Sequence, residues 1–207
     1  MKQIGRLHVL TDTELQQRFS HAELADMAIA GGADVIQFRQ KQGPTRTLIE
    51  TARQMQAICR RRGVRLIVND RLDVALAAEA DGVHLGQDDF PLDLARQVLG
   101  AEKIIGGSAS SLAEARLCQA AGVDYIGLGP VYPTTSKADA SPAGGLTLVR
   151  QVAGELGLPV IAIGGINLER TAPVMAAGAH GIAVISAVCC QPNPAAAAAA
   201  LLRVLAG

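Results

Sequence analysis

Aromatic residues are scarce in this chain of 207 residues, since there is no tryptophan and aromatics make up 2% of the sequence. So few rings disfavour a base-stacking surface of the kind that binds single-stranded nucleic acid. An excess of charge is missing too, because Lys and Arg together number 19 and Asp and Glu also number 19. Bulk charge therefore points to neither a nucleic-acid partner nor a membrane-surface partner.

Long hydrophobic runs and paired cysteine motifs are also missing. No apolar run approaches the ~20 residues of a membrane-spanning helix, and the N-terminal segment has no secretory h-region. Cys59, Cys118, Cys189 and Cys190 match no zinc-ligand spacing. Cys59 and Cys118 lie in apolar helical windows, which favours small buried side chains. We therefore expect a reducing, cytoplasmic setting.

Hydrophobic residues are abundant, at 49%, and they occur in short runs separated by helical patterns. This content is enough for one core and one domain, which we expect to span 1–207. Runs rich in β-branched residues predict eight strands. The predicted strands are 6–11, 33–39, 64–69, 81–85, 103–108, 123–128, 159–163 and 179–185.

Helical spacing fills the intervals between these strands. Examples are 21–30, 47–61, 92–99, 111–121 and 146–156, and a last helix begins at the N-cap Asn193, which proline follows. Small-residue junctions such as Ala30-Gly-Gly-Ala-Asp34 and Ala121-Gly-Val-Asp124 recur before strands and resemble helix C-caps. Their recurrence indicates a repeated βα unit.

Eight such units predict an α/β fold of the (β/α)8 TIM-barrel type. The alternative is a doubly wound open sheet with five to seven strands, which usually carries a glycine-rich turn after the first strand. Here the first strand ends in Leu10-Thr-Asp12, and glycine-rich strand ends come late in the chain. The barrel is therefore favoured.

Polar residues follow the early strands, where a barrel has its active site. Gln37, Arg39 and Lys41 alternate at the end of the second strand, so they share one face. Because two cations at a barrel mouth are costly without an anion, we expect an anion to bind there. The alternative is a solvated strand end with Lys41 already in the loop.

Two aspartates follow the third and fourth strands. Asn69 and Asp70 end the third strand, and Asp89 lies just beyond the fourth. Because adjacent parallel strands end together, Asp70 and Asp89 should lie close to each other, and beside cations they suggest Mg²⁺. The alternative is that each aspartate caps a helix, Asp70 before Leu72 and Asp88 or Asp89 before Pro91.

Hydroxyl groups and one lysine follow the middle strands. Ser108 ends the fifth strand, and both a capping role and a substrate contact remain open for it. The sixth strand leads into the loop 129–137, which carries Thr134, Ser136 and Lys137. Backbone N–H groups, hydroxyls and one point charge can together wrap an anion.

The last two strands end in small residues. Gly164 and Gly165 follow the seventh strand, and Ile185 and Ser186 follow the eighth. This pattern suits the phosphate site common in barrels, and a tight turn that needs positive φ is a compatible role for the glycines.

The predicted rim therefore divides in two. A metal-bound polyphosphate is suggested by Arg39, Lys41, Asn69, Asp70, Asp89 and Lys137. A second, simpler phosphate is suggested by Gly165, Ile185, Ser186 and 134–136. Two phosphorylated substrates in one pocket imply a transferase with pyrophosphate as the leaving group.

In combination these motifs resemble the thiamine-phosphate synthase family, whose superfamily also contains thiazole tautomerases. The resemblance runs from about residue 6 to residue 190 and is carried by Gln37-Phe-Arg-Gln-Lys41, Asn69-Asp-Arg71, 82–89, 129–137, 162–166 and Val184-Ile-Ser186. It implies that 4-amino-2-methyl-5-hydroxymethylpyrimidine pyrophosphate joins thiazole phosphate, giving thiamine phosphate and pyrophosphate. It also implies early C–O cleavage to a pyrimidine-stabilised carbocation, which the thiazole nitrogen captures.

The resemblance further implies a role for each site residue. The pyrophosphate would be held by Arg39, Lys41, Asn69 and Lys137, of which the three cations would be catalytic. Mg²⁺ would be bound by Asp70 and Asp89. The pyrimidine would contact Gln37, His84 and Ser108. The thiazole phosphate would be held by Thr134, Ser136, Gly165, Ile185 and Ser186.

Three alternative functions fit parts of the pattern. A thiazole tautomerase uses a histidine at the position of Ser110 and tends to lose the metal and pyrophosphate residues. A non-catalytic paralogue that binds thiamine phosphates should have lost a catalytic cation or a metal ligand. A different phosphate-using barrel has no need for Asp70 and Asp89 together. The synthase is therefore expected, with small-molecule substrates and no nucleic-acid or membrane partner.

Two further expectations concern assembly and motion. Apolar outer helices favour a homodimer. The segment 134–143 overlaps Ala140-Ser-Pro-Ala-Gly-Gly145. The residues of that stretch are small and polar enough to act as a hinge. We therefore hypothesise that this segment closes over the substrates and excludes water.

Overall fold

Strands and helices alternate along the computed structural model, which describes residues 2–136 and 142–207. The strands are β1 Leu7–Thr11, β2 Val35–Phe38, β3 Arg65–Asn69, β4 Gly82–Leu85, β5 Ile104–Ala109, β6 Tyr125–Leu128, β7 Val160–Ile163 and β8 Gly181–Val184. The helices are α1 His21–Ala30, α2 Thr45–Arg62, α3 Leu72–Ala77, α4 Leu92–Leu99, α5 Leu112–Ala120, α6 Gly145–Glu155, α7 Leu168–Ala176, α8 Ser186–Cys189 and α9 Pro194–Ala206.

The eight strands form a closed parallel barrel in chain order. β1 pairs with β2 on one side and with β8 on the other, so the sheet has no free edge. The predicted (β/α)8 barrel is confirmed, and the doubly wound open sheet is wrong. Helices cover the outer face of the sheet, which explains why the strands read as short continuous apolar runs.

The predicted strands overlap all eight observed strands, but some helices differ from the predicted examples. α2 begins at Thr45 rather than at residue 47, and β5 continues one residue further than expected, to Ala109. α3 and α8, with 6 and 4 residues, are too short to show a helical period. α7 contains Pro173, which normally marks the end of a helix.

Three of the four cysteines are buried. Cys59, Cys118 and Cys189 are buried free thiols, and burial raises the pKa of the Cys59 and Cys189 thiols to about 12. They therefore act as small apolar side chains, as expected for Cys59 and Cys118.

In the part of the chain that is described, every helix is too short or too polar to cross a membrane.

A repeated aspartate fastens the amino-terminal end of the barrel. Asp34, Asp81 and Asp124 stand just before β2, β4 and β6, and each accepts a hydrogen bond from a backbone N–H of the preceding strand at 2.8–3.0 Å. A glycine with positive φ follows the helix that precedes each of β2, β6 and β8. The predicted glycine caps are confirmed, and the repeat leaves the opposite end of the barrel free for chemistry.

The barrel interior combines an apolar cluster with a polar group of rings. Leu10, Val35, Ile67 and Ile161 belong to a buried cluster that also includes Tyr125. The Tyr125 ring meets the His8 ring edge-on at 5.3 Å and stacks on the His84 ring at 5.4 Å between centroids. Large rings thus cross the barrel in the region of β4, β5 and β6.

Glycines on β5 and β6 make room for these rings. A Cβ at Gly106 would lie 2.2 Å from Tyr125 Cζ and 2.4 Å from His84 Nδ1. A Cβ at Gly127 would lie 2.6 Å from His84 Cε1. Two inward-facing glycines are therefore a steric requirement of the histidine and tyrosine beside them.

Replacing Gly106 by alanine is expected to destabilise the fold by at least about 2 kcal/mol, because the new methyl group overlaps Tyr125 and His84. Gly154→Ala is the matched control, since Gly154 lies in α6 and a Cβ there meets no atom within 4 Å. The control should be stabilised by roughly 0.5–1 kcal/mol, because alanine loses less backbone entropy on folding. Urea unfolding of the three proteins checks both signs, and equal stabilities would contradict the steric argument.

Candidate active site

A cavity of about 790 Å³ lies at the carboxyl end of the barrel, with all eight strands contributing to its lining. The predicted site residues that line it are Gln37, Arg39, Lys41, Asn69, Asp70, His84, Asp89, Ser108, Thr134, Ser136, Gly165, Ile185 and Ser186. Lys137, the remaining predicted residue, lies outside the described residues, as does part of the segment 134–143. Every described member of the predicted set therefore surrounds one cavity.

Arg39 follows β2 and forms an ion pair through Nη1 with Asp12 Oδ2. The two side chains are 11% and 1% exposed, so this pair is shielded from solvent. The second carboxylate oxygen of Asp12 accepts hydrogen bonds from the N–H groups of Glu14 and Leu15, at 2.8 and 2.9 Å. Asp12 thus satisfies a turn with one oxygen and an arginine with the other.

Lys41 lies in the loop after β2, with 39% of its side chain exposed, and its Nζ forms an ion pair with Asp70 Oδ2. The alternative that placed Lys41 in the loop is therefore right about its position, although the residue still lines the cavity. Both cations have carboxylate partners. Carboxylates therefore balance the charge of both cations in the free protein, and the binding of an anion at this position stays a prediction.

Asp70 and Asp89 come together as their strand positions predict. Asp70 adopts a left-handed backbone conformation with φ of 62°, and its N–H donates to the His84 carbonyl at 2.8 Å. Asp89 Oδ2 accepts from the Gly86 N–H at 2.6 Å. Burial raises the pKa of the Asp89 carboxyl, and the hydrogen bond and charge of Asp70 raise it further. The two carboxylates are therefore electrostatically coupled.

Neither aspartate caps a helix. α3 has Arg71 at its N-cap position and α4 has Pro91, and neither cap makes a side-chain hydrogen bond. The capping alternative for Asp70, Asp88 and Asp89 is therefore wrong. A left-handed φ at a non-glycine residue is also a strained conformation of the kind that gathers at functional sites.

The floor of the cavity carries a chain of hydrogen bonds centred on His84. Its Nδ1 lies 3.0 Å from the Tyr125 hydroxyl, and its Nε2 lies 2.9 Å from Ser108 Oγ. Ser111, not Ser108, is the N-cap of α5, so the capping alternative for Ser108 is wrong. Because a hydroxyl can donate or accept, the chain can adapt its proton positions to a ligand.

Two buried polar atoms of cavity residues have no partner among the described residues, namely His8 Nδ1 and Gln37 Oε1. The other ring nitrogen of His8 lies 3.1 Å from the Gly5 carbonyl. Burial lowers the pKa of His8 to about 4, so this ring is neutral at physiological pH. Orphaned buried acceptors are costly, which indicates that a polar ligand or water completes the floor.

The far side of the cavity is built from the loops after β6, β7 and β8. Gly164 and Gly165 have φ of 98° and 62°, as the tight-turn interpretation expected. A Cβ at Gly165 would lie 2.6 Å from the Pro133 carbonyl oxygen, so this position is sterically closed to larger residues. In the loop after β6, the Ser136 N–H donates to Thr134 Oγ1 at 3.2 Å.

Ser110 stands at the position where a tautomerase has histidine. Its hydroxyl donates to the Glu114 carboxylate at 3.0 Å, and its N–H donates to the same oxygen at 2.7 Å. A serine held in this way does not provide the acid–base group that the tautomerase alternative requires.

Two site residues escaped sequence reasoning, Asp12 and Tyr125. Asp12 directly follows β1, as polar residues follow the other strands, and that position was the available signal. Its partner Arg39 follows β2, and the side-chain pairing depends on the strand register. Tyr125 reads as one more apolar residue in the β6 run, because nothing in the local pattern indicates a hydroxyl that bonds His84 across the barrel.

Comparisons with known proteins agree with this geometry. The family model described as thiamine monophosphate synthase matches residues 7–188 of the chain. The thiamine-phosphate synthase of Salinibacter ruber is 53% identical over 193 residues, covering 93% of this chain and 85% of that protein. The thiamine-phosphate synthase of Methanocella arvoryzae is 51% identical over 199 residues, covering 96% of this chain and 94% of that protein.

A solved structure is similar over nearly the same length. Thiamine phosphate pyrophosphorylase from Pyrococcus furiosus superposes with a TM-score of 0.89 at 37% sequence identity. The match covers 97% of this chain and 95% of that chain.

The coupled carboxylates generate a stability prediction for the ligand-free protein. Because the folded-state pKa of Asp89 is raised, its ionised form costs stability at pH 7, and the cost disappears as pH falls below the usual carboxyl range. Asp89→Asn keeps an oxygen for the Gly86 N–H and removes the charge. We expect its Tm at pH 7 to rise by about 1–3 °C.

Asp73→Asn is the control of opposite sign. Hydrogen bonds from Arg71 hold the pKa of the Asp73 carboxyl below its usual range, so this carboxylate contributes stability at pH 7 that is lost in acid. The control should therefore lower Tm slightly at pH 7. Thermal unfolding from pH 7 to pH 3 checks both variants, and an Asp89→Asn protein that melts below wild type at pH 7 contradicts the coupling.

Proposed function

This chain belongs to the thiamine monophosphate synthase family, and we propose that the cavity described above is where it joins its two substrates. Its function is that of a thiamine-phosphate synthase, a transferase acting on small molecules. One observation supports the cavity as the active site: the predicted residues, scattered from Gln37 to Ser186, line it together wherever they are described.

The substrates of the proposed reaction are 4-amino-2-methyl-5-hydroxymethylpyrimidine pyrophosphate and thiazole phosphate. Arg39, Lys41 and Asn69 would bind the pyrophosphate, since they line one side of the cavity and offer cationic and amide donors. On the opposite side Thr134 and Ser136 would bind the thiazole phosphate. Gly165, Ile185 and Ser186 complete the proposed phosphate site there, with backbone N–H groups as donors.

The pyrimidine would occupy the floor. Its ring nitrogens and amino group offer acceptors and donors, and the floor offers Gln37 together with the His84–Ser108 pair. Two orphaned buried atoms in the floor support a polar ring rather than an apolar one. The Tyr125 and His84 rings already stack and set a flat boundary for it.

Asp70 and Asp89 fit a Mg²⁺ ion. They are two coupled carboxylates beside a proposed pyrophosphate site, and Mg²⁺ commonly takes one or two protein carboxylates and completes its shell with substrate phosphates and water. The described residues contain no cluster of three or more His, Cys, Asp or Glu, so the proposed ion would need substrate oxygens and water to complete its shell. When bound, Mg²⁺ would supply charge stabilisation to the leaving pyrophosphate.

The chemistry asks the protein to stabilise charge on a leaving group. The C–O bond to pyrophosphate breaks, the electron pair leaves with the oxygen, and the thiazole nitrogen then forms the new C–N bond. Fixed donors from Arg39 and Lys41 bind the departing pyrophosphate more tightly as its charge grows, which lowers the barrier. A general base is not required when departure of pyrophosphate limits the rate.

Three further properties are proposed with the function. Work in the cytoplasm agrees with the free thiols and with a biosynthetic enzyme. A homodimer is favoured by exposed apolar residues on outer helices, such as Leu94 and Val98 on α4 and Leu117 on α5. Closure of 134–143 over the substrates is proposed from the sequence alone.

The proposed function predicts that pyrophosphate is released only with both substrates and Mg²⁺ present, and that EDTA abolishes release. Asp70→Asn and Asp89→Asn should each lower turnover by about a hundredfold or more. Asp93→Asn, an exposed aspartate on α4, is the matched control and should keep wild-type turnover. Release from the pyrimidine substrate alone at the full rate, or release that survives EDTA, would count against this proposal.

Lys137 carries a separate prediction drawn from the sequence. Lys137→Ala should lower turnover about a hundredfold or more, because a cation on the leaving group stabilises the transition state more than the ground state. Steady-state kinetics with each substrate varied in turn measure this. A loss confined to affinity for thiazole phosphate would place the lysine at the other phosphate.

A further inference from the structure

We propose that Asp12 is a positioning residue of this active site. Its carboxylate holds the Arg39 guanidinium in the place where pyrophosphate would bind. This inference rests on the proposed function, because Arg39 is assigned there to the leaving group. Asp12 itself is nearly fully buried, and it acts through Arg39, which lines the cavity.

The barrel register places the two residues side by side. β1 and β2 are parallel and Thr11 pairs with Phe38, so the next residues along the strands are Asp12 and Arg39. Their side chains meet as an ion pair between Oδ2 and Nη1. The contact is thus a consequence of strand pairing and does not depend on a flexible surface approach.

Asp12 is itself held rigidly by the loop that follows β1. Its Oδ1 accepts the Glu14 and Leu15 N–H groups, and its backbone carbonyl accepts from Gln16 Nε2 at 3.2 Å. Gln16 is 7% exposed, and its Oε1 accepts from the N–H groups of Arg18 and Phe19, each at 3.0 Å. The carboxylate that holds Arg39 therefore has little freedom to move.

Holding an arginine in this way favours catalysis. A guanidinium has five N–H donors, so a bond from Nη1 to Asp12 leaves others for an anion in the cavity. The long side chain loses its rotamer freedom during folding instead of during binding. Donors that are already in position need no reorganisation as charge develops on the leaving oxygens.

The two oxygens of Asp12 allow its structural and positioning roles to be separated. Oδ1 needs only to accept hydrogen bonds from two N–H groups, which an asparagine oxygen does equally well. Oδ2 faces Arg39, and there the negative charge is what matters. Asp12→Asn therefore keeps the turn and removes the ion pair.

The test is a double-mutant cycle with Asp12→Asn, Arg39→Gln and the double variant, measured by pyrophosphate release. Asp12→Asn should lower kcat/KM for the pyrimidine pyrophosphate by roughly 10- to 100-fold, the cost of a misplaced group. Its KM for thiazole phosphate should stay within about twofold of wild type. In the Arg39→Gln background the same change should cost less than about threefold, because the residue through which Asp12 acts is gone.

A binding measurement adds a readout that does not depend on turnover. Calorimetric titration of pyrophosphate with Mg²⁺ should show weaker binding to Asp12→Asn, by about tenfold, and no change for Asp26→Asn, whose exposed ion pair with Arg62 lies outside the site. Thermal unfolding reports whether each variant is folded.

The outcomes separate this inference from the proposed function. If the wild-type protein releases no pyrophosphate when both substrates are present, the function itself is overturned. Active wild type, with Asp12→Asn unchanged in kcat/KM and in pyrophosphate affinity, overturns the positioning role alone. Equal losses from Asp12→Asn in the wild-type and Arg39→Gln backgrounds do so too, because they would show that Asp12 acts independently of Arg39.

Discussion

Hydrogen bonding between β1 and β8 closes the sheet, and the active site depends on that closure. An open sheet would leave its two edge strands far apart. In the closed barrel, all eight carboxyl ends surround one cavity, so residues separated by more than a hundred positions line the same space. Backbone pairing thus does the assembling, and individual side chains supply the chemistry.

Charge at the mouth of the barrel is balanced in pairs. Arg39 is matched by Asp12 and Lys41 by Asp70, so the free protein has carboxylate partners for two cations that an anionic substrate would engage. Asp89 is the carboxylate whose environment disfavours its charge, through burial and through Asp70. In the proposed function, Mg²⁺ and pyrophosphate would restore this balance, and the free protein would give up some stability at the site, as enzymes commonly do.

Much of the architecture could be predicted because each strand has a recognisable local sequence pattern. Eight β-branched runs, recurrent glycine caps and polar residues after the strands indicate the barrel and its catalytic end without knowledge of any contact. The local pattern could not decide whether a polar residue after a strand caps the next helix or faces the cavity. Asp70 and Ser108 both stand near helix starts, and only their backbone positions show that Arg71 and Ser111 occupy the caps.

Residue types and their order along the chain were therefore enough for the fold, the family resemblance and the set of polar residues around the mouth, since local periodicity and strand ends carry that information. The proximity of Asp70 to Asp89 followed from strand order, but the contacts made by Asp12 and Tyr125 came from the tertiary structure alone. Asp12 meets Arg39 through the register of β1 with β2, and Tyr125 meets His84 through the registers of β4, β5 and β6. Side-chain partners depend on distances between strands, and a linear sequence contains no such distances.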